Sequence, residues 1–203
     1  MKRVRERQGA GGGAGGGERL FVGVPLPAIL RDHVRVVQEA LQAEGVRGLR
    51  LPAPEQLHVT LAFIGEVDPA RREAARLVVE RLPVEEGGEA VLGGFLLLPS
   101  PRRARVVALA IEDGERVLQR LYEAVAGGLE AAGVMQREAR PFRPHLTIAR
   151  LRQPAALQPR WECGRQAYPV ESVRLYRSHL GPGGARYTVL AARELGATGS
   201  KKA

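Results

Sequence analysis

Two short stretches of this chain carry residue types that move protons at a reacting centre: His58-Val59-Thr60-Leu61-Ala62 and His145-Leu146-Thr147-Ile148-Ala149. An unperturbed imidazole titrates near pH 6.5, so of two such rings acting together one can hold a proton while the other lacks it. That pair can take a proton from a nucleophile on one side of a reacting atom and deliver one to a leaving oxygen on the other. A threonine hydroxyl two residues further on can donate a hydrogen bond to an oxygen of an anionic centre and offset charge growing there. In an extended chain alternate side chains share a face, so each histidine stands with its threonine while Val59, Leu61, Leu146 and Ile148 point the other way, into a core. The chain has only four histidines (33, 58, 145, 179) and four threonines (60, 147, 188, 198), and half of each lies in this one pattern. Repetition at this length points to a duplicated unit.

The segments around the two stretches read as the elements that would hold them. Residues 19–24 form an apolar run stopped by Pro25 and Pro27, a first strand. Residues 28–44 place Ile29, Leu30, Val34, Val37 and Leu41 at helical spacing before Gly45, with His33 beside the apolar stripe. A short strand over 49–51 precedes the first motif strand, 56–64. Asp68 and Pro69 have the arrangement of a helix start, and the helix runs to Leu82. Apolar runs over 90–98 and 105–111 read as strands, joined by a Pro-Ser-Pro-Arg-Arg loop. A third helix spans 115–132 and ends at Gly133. Pro141 and Pro144 force an extended approach to the second motif, tolerable at a strand entrance. Arg143 then shares the face of His145, a candidate phosphate or cleft contact. Two further strands, 170–179 and 186–195, flank the turn Gly181-Pro182-Gly183-Gly184.

Composition sets the outer limits. At 203 residues and 44% hydrophobic, the chain can bury a substantial core. One cysteine, Cys163, excludes an internal disulfide framework and any multi-cysteine zinc site, which fits a reducing compartment. Aspartate occurs only at 32, 68 and 113 and no close ligand pair accompanies the histidines, so the expectation is no metal and no cofactor. No run approaches the length of a membrane span, and the basic N-terminus leads into glycine rather than an apolar segment. The expectation is a cytoplasmic monomer without a membrane partner. Residues 1–18 read as a flexible basic and Gly-rich tail, 19–196 as the folded domain and 197–203 as a basic C-terminal tail. The net charge is +9, and 28 of the 31 basic residues are arginine, whose donor fork suits phosphate oxygens. Such a field favours an anionic partner such as RNA.

The paired motifs, with Arg-Pro-Phe-Arg-Pro (140–144) before the second and Leu-Tyr-Arg-Ser-His-Leu-Gly-Pro-Gly-Gly (175–184) near the end, resemble the 2H phosphoesterases. Within them they are most similar to the RNA 2′,3′-cyclic phosphodiesterases historically called 2′-5′ RNA ligases. The resemblance runs from about residue 20 to 195. It implies an α+β, bilobal fold, two similar lobes with antiparallel sheets and outer helices facing one another across a cleft. It also implies hydrolysis of RNA 2′,3′-cyclic phosphate ends to 2′-phosphate ends, with His58 as proton donor to the leaving 3′ oxygen, His145 as proton acceptor and Thr60 and Thr147 on the phosphate. The near-identical motifs do not by themselves separate acid from base. The family pattern carries arginine at the position of Arg150, yet that residue has the wrong parity to share the face of His145 unless the strand is bulged or bent. Cleavage or reversible ligation of 2′-5′ linked RNA, and non-catalytic binding of RNA ends, are the alternatives. Aromatic residues make up only 4% of the chain, which leaves Phe63 and Phe142 as stacking candidates near the motifs or as core, and Tyr176 and Ser178 share a face of a late strand.

Overall fold

The computed structural model describes residues 18–84, 87–159, 162–181 and 184–196. The expectations for residues 1–17 and 197–203 lie outside them. In chain order the elements are β1 (Glu18–Pro25), α1 (Arg31–Ala43), β2 (Leu49–Arg50), β3 (His58–Val67), α2 (Pro69–Glu80), β4 (Gly88–Leu98), β5 (Ala104–Glu112), α3 (Val117–Ala131), β6 (His145–Ala155), β7 (Gln166–Val170), β8 (Ser172–Gly181) and β9 (Gly184–Glu194). The first strand starts one residue before the expected boundary. Glu18 pairs with Val67 and receives Arg72 and Arg177 at 2.9 and 3.1 Å, so it belongs to the fold rather than to the tail. Strand β7 has no clear sequence signal, because Gln-Ala-Tyr-Pro-Val is short and interrupted by proline. It is an edge strand, where a missing ladder donor is tolerated.

Local chemistry accounts for the helices. Val34, Val37 and Leu41 of α1 are buried at helical spacing, and Gly45 follows in the left-handed conformation at φ +72°. Asp68 caps α2 by accepting from Arg71 N at 2.9 Å, with Pro69 in the first turn. Helix α3 starts two residues later than its pattern suggests. Arg116 takes a left-handed φ of 56°, and Asp113 accepts from Leu118 N and Gln119 N at 3.1 and 2.8 Å.

The strands form one antiparallel sheet in the order β7-β4-β5-β6-β3-β1-β8-β9, with β2 added to β6. The order is symmetric about its middle. Each half has four strands, the motif strand innermost (β6 or β3), and a helix lies in the connection between the motif strand and its outer neighbour: β1-α1-β3 in one half, β5-α3-β6 in the other. The halves join through a single pair, Val59 opposite Leu146. Two antiparallel halves with helices packed on them thus match the expected bilobal α+β arrangement, with the lobes continuous at the motif strands. The helices cross over: α3 packs on β3 and α1 on β6. Gln38 of α1 is 5% exposed and donates to Ile148 O at 2.9 Å and Pro52 O at 3.0 Å. Ile148 lies between the stretch of β6 paired to β3 and the stretch paired to β2, so the amide supplies a donor where no strand neighbour does.

Candidate active site

The join between the halves brings the two motifs together. Continued one residue either way, the antiparallel register of Val59 with Leu146 sets His58 across from Thr147 and Thr60 across from His145. All four are partly exposed, whereas Val59, Leu61, Leu146 and Ile148 are buried on the opposite face. Cross-strand neighbours stand about 5 Å apart and same-face residues along one strand about 6.6 Å apart. Two imidazoles and two hydroxyls therefore occupy the corners of a patch the size of one phosphate group and its ester oxygens.

Each histidine is oriented in the same way. His58 Nδ1 lies 2.6 Å from Gln56 O and His145 Nδ1 lies 2.8 Å from Arg143 O, two residues back in each case. A carbonyl only accepts, so Nδ1 carries the proton in both rings, which leaves Nε2 as the nitrogen available for proton transfer. Arg143 thus serves the site with its backbone, and its side chain is exposed.

Both motif strands carry a bulge at the same place. On β3, Gly23 pairs with Thr60 but the next residue back on β1, Val22, pairs with Ala62. On β6, Ala108 pairs with Thr147 and Val107 pairs with Ala149. The extra residue reverses the alternation. Consecutive residues Leu61-Ala62 and Ile148-Ala149 are buried, and Phe63 and Arg150 turn onto the face of the histidines, both exposed. The bulge needed to bring Arg150 into the site is therefore present. The charge of Arg150 acts on both His58 and Tyr187. Phe63, 59% exposed, is the available stacking ring. Phe142 is not: it stacks on Tyr122 at 4.5 Å and packs on the core.

The two histidines differ in their surroundings. Phe21 stacks on His58 at 4.6 Å, Tyr187 meets it edge-on at 5.3 Å, and Tyr176 lies at 5.9 Å and stacks in turn on Phe21. The Phe21 and His58 rings meet beside Gly23, where a Cβ would stand 3.3 Å from His58 Cδ2. No sequence pattern singles out Tyr187. It lies on β9 across from Ser178, and only the pairing of β8 with β9 and of β8 with β1 carries it to His58. Tyr176 is 7% exposed, so its role is to wall the ring. Burial is the largest influence on His58 and lowers its pKa to about 4; the bond to Gln56 O opposes this, and the charges of Arg150 and His145 reinforce it. The ring is neutral at pH 7, with an unprotonated Nε2. Its ¹H–¹⁵N titration is expected to have a midpoint near 4 and to move upward when a nucleoside 2′-phosphate is added; a midpoint near 6.5 in the free protein contradicts this account. Since the folded value is below the unfolded one, the unfolded chain takes up this proton first. The ring therefore lowers stability as pH falls from about 6.5 to about 4 and adds no pH dependence above that window.

Comparison with known proteins places the fold in a family. The profile of the 2′-5′ RNA ligase superfamily matches residues 31–180. The RNA 2′,3′-cyclic phosphodiesterase of Methanothermobacter thermautotrophicus is 33% identical over 180 residues, covering 84% of this chain and 95% of its own. Among solved structures, TT0787 of Thermus thermophilus superimposes with a TM-score of 0.77 at 32% identity, over 87% of this chain and 97% of its own. Escherichia coli LigT complexed with 3′-AMP does so with a TM-score of 0.70 at 30% identity, over 88% and 98%. Matched along most of its length, in sequence and in backbone, the chain belongs to the 2′-5′ RNA ligase superfamily.

Proposed function

We propose that this protein hydrolyses RNA ends carrying a 2′,3′-cyclic phosphate to 2′-phosphate ends, by general acid and base catalysis at His58 and His145 without a metal ion. The relatives' activity supports the reaction. The facing of His58 and Thr60 with Thr147 and His145 across one strand pair carries the assignment to this chain.

In the proposed step, His145 Nε2 takes a proton from water as its oxygen attacks phosphorus. The bond from phosphorus to the 3′ oxygen breaks, and His58 Nε2–H delivers the proton that oxygen needs. The Thr60 and Thr147 hydroxyls donate to the non-bridging oxygens, and Arg150 offsets charge growing on them. His58 is neutral in the free protein, so it takes up its proton together with substrate: the phosphodiester anion supplies a countercharge against the burial, and secondarily against the charges of Arg150 and His145, that disfavour the charged ring. One observation favours exchanged roles. A neutral His58 with an open Nε2 is already poised as a base.

Purified protein treated with EDTA is expected to convert a short RNA with a cyclic end to a 2′-phosphate at an unchanged rate. Loss of turnover restored by added divalent metal, or a 3′-phosphate product, overturns the proposal. Accumulation of a longer 2′-5′ linked strand points instead to ligation. Recognition centres on the terminal ribose and phosphate, with the protein acting as a monomer in the cytoplasm.

A further inference from the structure

Beyond Arg150 on β6 come Leu151, buried, and Arg152, exposed. Strand β2 pairs Arg50 with Arg150 and Leu49 with Leu151. Cross-strand partners share a face, and Leu49 and Leu151 pack against the core, so Arg50, Arg150 and Arg152 all project on the opposite side, all exposed. The bulge at Ile148-Ala149 makes that side the side of His145 and Thr147. Arg152 is held in the row by its backbone, with Arg152 N donating to Gly48 O at 3.1 Å.

None of the three has an ion pair among the described residues, unlike Arg35, Arg71, Arg72 and Arg76 on α1 and α2 and Arg137 in the loop after α3, each matched by a carboxylate. What sets them apart from other unpaired arginines such as Arg31 and Arg120 is that they share the face of His145 and Thr147. Arg152 stands two strand rises, about 6.6 Å, beyond Arg150, close to the spacing of successive phosphates in an extended strand. Unpaired guanidinium groups at that spacing suit phosphate oxygens.

We infer that Arg50 and Arg152 form a phosphate track leading away from the reacting centre, which makes a polyribonucleotide, rather than a cyclic mononucleotide, the preferred substrate. The inference rests on the cyclic phosphodiesterase reading for its catalytic readout. The track binds the backbone upstream of the cyclic end and carries no base preference, since phosphate contacts position without reading sequence.

The test compares a 2′,3′-cyclic mononucleotide with a short ribo-oligonucleotide bearing the same terminus. The wild-type protein is expected to favour the oligonucleotide in kcat/KM. The double variant R50A/R152A is expected to lose at least about tenfold on the oligonucleotide and to keep mononucleotide turnover within about twofold. Its log kcat/KM for the oligonucleotide should fall less steeply with log salt, by about 1.4 for two lost contacts. Equal losses on both substrates, no loss on either, or a wild type indifferent to length each overturn the track. Should alanine lower the melting temperature, R50Q/R152Q gives the same comparison. If the wild type turns over neither substrate, the proposed activity falls and the track is read from fluorescence anisotropy of the same oligonucleotide labelled at its 5′ end. Weaker binding by the double variant then sustains it, and equal binding overturns it.

Discussion

His58→Ala and His145→Ala are each expected to lower kcat/KM on a cyclic-ended RNA by about 10²–10⁴-fold with the fold intact, the range for removing one positioned acid or base. His145 is partly exposed at the join, so its truncation leaves the core untouched. His58 is walled by Phe21, Tyr176 and Tyr187, and its loss should register in melting temperature as well. The two variants can be told apart by leaving group. An aryl phosphodiester expels a phenolate that needs no acid, so the variant lacking the proton donor should recover on it and the variant lacking the base should not. Recovery by His58→Ala alone supports the donor role implied by the family resemblance. Recovery by His145→Ala alone exchanges the roles, and full activity in either variant on RNA removes that ring from catalysis altogether.

Replacing Gly23 should damage both the fold and the placement of His58. A Cβ there would lie 2.8 Å from Val59 O, on the backbone of the residue that joins the two halves, and 3.3 Å from His58 Cδ2. Backbone cannot yield as a side-chain tip does, so Gly23→Ala must push β1 and β3 apart. A cost of about 1–3 kcal/mol is expected for such overpacking, a fall in melting temperature of roughly 2–12 °C for a chain of this size. Moving His58 relative to Thr147 by a fraction of an ångström should also depress kcat on RNA, and Gly23→Val should do both more strongly. Gly94→Ala is the control, since a Cβ there meets nothing within 4 Å. A Gly23→Ala protein that melts and turns over like wild type removes the close approach from the account of how His58 is placed.

The alternation of polar and apolar residues makes both motif strands readable from sequence, because a strand with one buried face must present a period of two. The cap at Asp68 and the stripe of α1 are legible for the same kind of local reason. Strand β7 is not, since an edge strand interrupted by Pro169 lacks that pattern and is held by its ladder to β4. Arg150 shows the boundary well. Its type suits phosphate, but its parity argues against it, and the bulge that reverses the parity is a property of how β6 pairs with β5.

What the sequence determined by itself is which atoms could do the chemistry: two imidazoles and two hydroxyls on the polar faces of two strands, in a chain whose basic charge is almost all arginine. What only the tertiary structure decided is that these strands meet at one residue pair, that Tyr187 and Arg150 flank His58, and that the two near-identical motifs sit in unlike surroundings. The reason is physical. Face and period are set by neighbours along the chain, whereas burial, field and register are set by residues far apart in sequence that folding places side by side.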